Sequence, residues 1–127
     1  MKKILVVEDE KALSLLYKEE LGEEGYKVTS VLSADAALEA LARETFDLIV
    51  TDIRMPGKNG IELVTRVMSQ WPDIPIIINT AYQSYKDDFK TWAADAYIVK
   101  SSSLEELKAK IKELTEKKHV PTEKGSH

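Results

Sequence analysis

The sequence predicts one α/β domain built on a parallel five-stranded sheet with helices on both faces. Three observations carry that expectation. Short apolar runs alternate with helix-period segments from end to end, the pattern of successive βαβ units. The 127 residues, 43% of them hydrophobic, are enough for one continuous core and too few for a second domain. Four of the apolar runs also end on an acid, a hydroxyl or an ammonium, and in a parallel sheet those ends share one edge.

The first strand is Ile4-Leu5-Val6-Val7. A helix follows over residues 11–23, with Leu13, Leu16, Tyr17 and Leu21 on one face, and stops near Gly22 and Gly25. Residues 27–31 read as the second strand. Ser33 caps a helix whose apolar face is Ala34, Ala37, Leu38 and Leu41, and the third strand begins at Phe46. Residues 55–60 form a turn, and Asn59 caps a helix that buries Ile61, Val64, Val67 and Met68 and ends at Trp71-Pro72. The fourth strand spans 74–80. Ser84 and Asp87 have capping-box spacing for a weakly amphipathic helix that reaches about Ala94. The fifth strand covers 96–99. Ser103 and Glu106 then open a helix with Leu104, Leu107, Ile111 and Leu114 facing inward. We expect the domain to occupy residues 1–118, and 119–127 to be a polar tail, a linker remnant or an appended remnant.

Composition excludes several classes of function. A net charge of −4 with interspersed Lys and Glu argues against a nucleic-acid surface, so a protein partner is expected. Cysteine is absent, which removes disulfides and thiolate metal sites. The first apolar stretch is too short for a signal peptide, and no run approaches the about 20 apolar residues of a membrane span. A soluble cytoplasmic protein without membrane contact is expected.

The strand ends hold the chemistry. Glu8-Asp9 follow the first run, Thr51-Asp52 the third, Thr80 the fourth and Lys100 the fifth. Taken singly, Asp9 reads as a cap, Glu8 as a solvated acid, Asp52 as a turn former, Thr80 as a strand residue and Lys100 as a surface cation. Their shared position at separate strand ends favours a joint reading. Glu8, Asp9 and Asp52 would repel unless a cation neutralised them, and Mg²⁺ suits an all-oxygen site that keeps waters and accepts a phosphate oxygen. Asp9 and Asp52 are expected as direct ligands, Glu8 through water. Asp52 is the candidate nucleophile and phosphoacceptor, able to form an acyl phosphate by in-line attack. Lys100 and Thr80 can each bind a phosphoryl oxygen.

At Val6-Val7-Glu8-Asp9, the stretch from Asp47 to Gly57, Thr80-Ala81 and Tyr97-Ile98-Val99-Lys100, the chain resembles the receiver domains of two-component response regulators over residues 2–117. That resemblance implies a (βα)₅ flavodoxin-like fold and transfer of a phosphoryl group from a sensor histidine kinase or phosphotransfer protein to Asp52. It implies Mg²⁺ held by Glu8, Asp9, Asp52 and the backbone carbonyl of Arg54, and slow loss of the phosphoryl group to water. It also implies that Thr80 and Tyr97 act as the switch toward a downstream effector, through a surface running from Tyr82 and Trp92 to the last helix. Two positions depart from the family pattern: Ser101 stands where Pro is usual, predicting a trans Lys100-Ser101 bond, and Asn59 stands where an acid is common.

Other functions use some of the same residues. A phosphohydrolase with an aspartate nucleophile would need a general acid about two residues on, where Arg54 stands. Neither glycine-rich nucleotide loop is present. A receiver-fold interaction module that works without phosphorylation is the stronger rival, although all five strand-end residues are in place. The expected class is a signalling domain rather than an enzyme acting on an external substrate.

Overall fold

The computed structural model describes residues 1–53, 60–81, 94–100 and 103–117. In chain order the elements are β1 (Lys3–Val7), α1 (Lys11–Glu23), β2 (Lys27–Val31), α2 (Ala34–Arg43), β3 (Leu48–Thr51), α3 (Gly60–Gln70), β4 (Ile76–Thr80), β5 (Ala96–Val99) and α4 (Glu105–Lys117). All strand pairs are parallel, in the order β2-β1-β3-β4-β5. The order reverses at β1, so β1 and β3 lie side by side at the centre and their carboxyl ends open a crevice.

Side-chain alternation sorts the core into two layers. Leu5, Val7, Ile49, Ile76 and Ile78 pack against Ala37 and Leu41 of α2 and Leu63, Val64 and Val67 of α3. Ile4, Val6, Leu48, Val50, Ile77 and Ile98 pack against Tyr17 and Leu21 of α1 and Leu107, Ile111 and Leu114 of α4. Helices therefore cover both faces, and near-continuous apolar strands are what such a sheet requires.

Local chemistry sets the helix ends. Gly25, at φ 98°, terminates α1: its N–H donates to Gly22 O at 3.0 Å, and Tyr26 N–H reaches Leu21 O at 3.3 Å. Ser33 Oγ accepts from Ala36 N–H at 3.1 Å, capping α2 as predicted. Ser103 Oγ accepts from Glu105 N–H at 3.2 Å at the start of α4.

Three sequence expectations need correction. Leu16 is 40% exposed, because α1 turns Ser14, Tyr17 and Leu21 inward and Leu16 falls off that face. The third strand begins at Leu48, two residues after Phe46, since the Asp47 carboxylate takes the Lys3 N–H at 2.8 Å. The fourth begins at Ile76: Ile74 N–H closes a turn on Trp71 O at 3.1 Å, and Pro75 has no N–H to give a ladder. The predicted turn at 55–59, the predicted helix up to residue 93, the Asn59 cap, the Lys100-Ser101 bond and the tail lie outside the described residues. Among the described residues no helix is long and apolar enough to cross a membrane.

Candidate functional site

Glu8, Asp52 and Lys100 each sit one step past a strand, with the backbone still tied to the sheet. Glu8 N–H donates to Val31 O at 3.0 Å, Asp52 N–H to Val7 O at 3.1 Å, and Lys100 N–H to Thr80 O at 2.7 Å. The hydroxyl of Thr51 donates to Asp52 O at 2.8 Å. These bonds put the side chains on rigid elements rather than on a loose loop. By alternation Glu8, Asp52 and Lys100 follow Val6, Val50 and Ile98, so all three lie on the face covered by α1 and α4.

Lys100 joins the acids. Its Nζ stands 2.6 Å from Glu8 Oε1 and 2.8 Å from Asp52 Oδ2. The second Glu8 oxygen accepts from Glu10 N–H at 3.1 Å. Glu8 and Asp52 are buried, Asp9 is half-buried, and one carboxylate oxygen from each of the three lies within 4.8 Å of the others.

Burial and charge together set the ionisation behaviour. Burial pushes the Glu8 carboxyl above its ordinary range, against the pull of Lys100 and the Glu10 N–H. Burial acts against the Lys100 ammonium too, but Asp52 and Glu8 outweigh it and raise its pKa. One ammonium thus serves two buried acids, and Asp9 adds a third carboxylate close by. When all are ionised this group is left with excess negative charge. Its donors are all oxygen and come from two strand ends, a set that fits Mg²⁺ and gives a divalent cation a reason to bind.

Thr80 is fully buried at the end of β4. Alternation places it with Ile76 and Ile78, on the face covered by α2 and α3, and Tyr97 is half-buried against that same layer. The two predicted switch residues therefore share a side of the sheet, opposite the Glu8, Asp52 and Lys100 side chains. Arg54, Tyr82 and Trp92 lie outside the described residues.

One pair beside the site escaped the sequence reading. Asn79 Nδ2 donates to Tyr17 Oη at 3.2 Å, and both residues are buried. The detectable signal is an amide closing the apolar run Ile76-Ile77-Ile78, where a strand buried on both faces has little use for one.

Known proteins share this fold. A family model described as the response regulator receiver domain matches residues 4–112. The chain is 39% identical over 114 residues to the two-component response regulator PhoP of Pseudomonas aeruginosa, covering 88% of this chain and 51% of that protein. It is 41% identical over 115 residues to the phosphate regulon transcriptional regulatory protein PhoB of Rhizobium meliloti, covering 87% of this chain and 50% of that one. It thus spans about half the length of both relatives. Among solved structures, response regulator protein TrrA from Thermotoga maritima in complex with Mg²⁺-BeF superposes with a TM-score of 0.86 at 44% identity, covering 90% of this chain and 99% of that one. A chain in the complex of histidine kinase ThkA with TrrA gives a TM-score of 0.83 at 44% identity, covering 90% and 98%.

Proposed function

The chain belongs to the response regulator receiver domain family, and on that footing we propose that Asp52 accepts a phosphoryl group from a phosphohistidine on a sensor kinase or phosphotransfer protein. The observation that carries this reading is the Lys100 ammonium bridging Glu8 and Asp52 at the carboxyl edge of the sheet. The solved complex of TrrA with a histidine kinase supports the class of donor.

With Asp52 Oδ2 bound to Lys100, Oδ1 is the oxygen we assign to attack. A carboxylate O–P bond forms as the P–N bond of the donor breaks, and the ring leaves with the electron pair as neutral imidazole, its other nitrogen having taken a proton from solvent. Lys100 transfers its attraction from the carboxylates to the phosphoryl oxygens as charge builds there. Glu8, Asp9 and Asp52 would hold Mg²⁺, with the Arg54 backbone carbonyl as the further ligand that family resemblance implies. The ion supplies charge that offsets the phosphoryl oxygens and the crowded acids. The TrrA complex with Mg²⁺-BeF supports that choice of metal.

Burial at the strand end limits access of water to the acyl phosphate, so we expect slow autodephosphorylation and a timed signal rather than turnover of an external substrate. Thr80 would move its hydroxyl toward the phosphoryl group, and Tyr97 on the same face of the sheet would follow. The resulting surface would act on a downstream effector protein or domain in the cytoplasm, with residues 1–118 as the phosphoacceptor unit.

The test is intact mass after incubation with a small acyl-phosphate or phosphoramidate donor, with Mg²⁺ or with chelator. One added phosphoryl group in Mg²⁺ and none in chelator is expected. No gain with any donor would overturn the proposal in favour of an interaction module that works without phosphorylation.

A further inference from the structure

The register of the sheet brings Asn79 beside the acids. Val7 pairs with Thr51, and Thr51 with Ile78. One step further along, Glu8, Asp52 and Asn79 form a row across β1, β3 and β4, on strands about 4.8 Å apart. Alternation points all three to the face covered by α1 and α4, since Val6, Val50 and Ile77 lie in that layer. An amide at this place can reach the neighbouring Asp52 carboxylate, and charge-assisted acceptors are the stronger ones.

Tyr17 engages that amide from the helix side. It is buried in the layer formed by Leu48, Val50 and Ile77, and its hydroxyl receives Asn79 Nδ2 at 3.2 Å. The phenol also feels the charges of Lys100, Glu8 and Asp52, and burial raises its pKa, so it stays neutral beneath the acid group. A core tyrosine with no use for its hydroxyl would as readily be phenylalanine; here the hydroxyl engages the one amide in the row.

We propose that Tyr17 is a positioning residue for the acid pocket: by engaging the Asn79 amide it keeps that group from competing with Lys100, the metal and the phosphoryl donor for the Asp52 carboxylate. The inference rests on the reading of Asp52 as metal ligand and phosphoacceptor. In Tyr17→Phe the amide loses its buried acceptor while the carboxylate beside it remains. The amide then turns to Asp52.

Three variants separate this from a purely structural role: Tyr17→Phe, Asn79→Leu and the double variant. Each is compared with wild type for Mg²⁺ affinity by calorimetry, phosphorylation rate by intact mass, and melting temperature, all binding and rates being read well below melting. Tyr17→Phe should bind Mg²⁺ and accept phosphoryl about tenfold more weakly and slowly, the effect of one charge-assisted hydrogen bond drawn onto the carboxylate. Asn79→Leu should melt lower yet match wild type in both site measurements, because no amide remains to compete. The double variant should match wild type at the site as well. Tyr17→Phe with a lower melting temperature but unchanged Mg²⁺ affinity and rate would overturn the proposal, as would a double variant as impaired as the single one. Should wild type take no phosphoryl group from any donor, the phosphoacceptor reading fails, and the Mg²⁺ affinities still decide whether Tyr17 acts on Asp52.

Discussion

Lys100 Nζ lies 2.8 Å from Asp52 Oδ2 although 48 positions separate the two residues in the chain. The contact exists because β3 and β5 flank β4 in one parallel sheet and both residues emerge at its carboxyl edge. It ties the cation to the proposed nucleophile before any donor arrives.

Removing the ammonium leaves buried acids without their countercharge. Lys100→Met should lower the unfolding free energy of the metal-free protein by on the order of 3 kcal/mol, the scale for breaking one side of a buried ion pair. Mg²⁺ should recover part of that loss by binding the same acids. Urea unfolding with chelator and with Mg²⁺ measures both, and equal losses in the two conditions would separate Lys100 from the metal site.

The pH dependence has a definite sign. Glu8 has a raised pKa because burial disfavours its charge. The folded state therefore holds a proton that the unfolded state gives up, and metal-free stability falls as pH rises from the ordinary glutamate range through the folded Glu8 value. Lys100 is also raised, so its contribution is complete below the ordinary value of 10.5 and is lost only as pH climbs through the higher folded value. In Glu8→Gln the acid-range decline should be absent while the alkaline one persists in reduced form. Urea midpoints across pH in chelator read this directly.

Thr80 is fully buried and shares a sheet face with Tyr97. Thr80→Val keeps shape and loses the hydroxyl, so Asp52 should still be phosphorylated, at a rate within roughly tenfold of wild type, the value of one hydrogen bond to a charged oxygen. The signal should fail beyond it. Beryllofluoride with Mg²⁺ should shift the Tyr97 ring resonances in wild type and leave them nearly unmoved in the variant.

The inward face of α1 can be tested by truncation. Leu21→Ala, at a fully buried position, should cost about 2 to 5 kcal/mol through lost burial and a cavity. Leu16→Ala is expected to cost within about 0.5 kcal/mol, as surface changes do. Comparable costs would contradict the orientation of the helix.

Strand and helix order were legible in the sequence because hydropathy period reports directly on which elements must be covered. Part of the strand-end group was legible for a related reason: a parallel sheet puts those ends on one edge, where Glu8, Asp9, Asp52 and Lys100 meet, whereas Thr80 turns to the other face. Finer detail was not. Leu16 and Tyr17 are neighbours of similar hydropathy, and only the tilt of α1 on the sheet decides which is buried. The late starts of β3 and β4 depend on a side chain, Asp47, replacing a ladder bond and on a turn at residues 71–74. Asn79 and Tyr17 lie 62 positions apart, and their bond follows from packing across the sheet face, which no local pattern encodes.

Asp52 is the centre of the account, and Asp52→Asn tests it most directly. Wild type and variant, each folded by circular dichroism, are given the same phosphoramidate donor with Mg²⁺ and followed by intact mass. One phosphoryl group on wild type and none on the variant is expected. An equal gain on both would place the phosphoryl group elsewhere and contradict it.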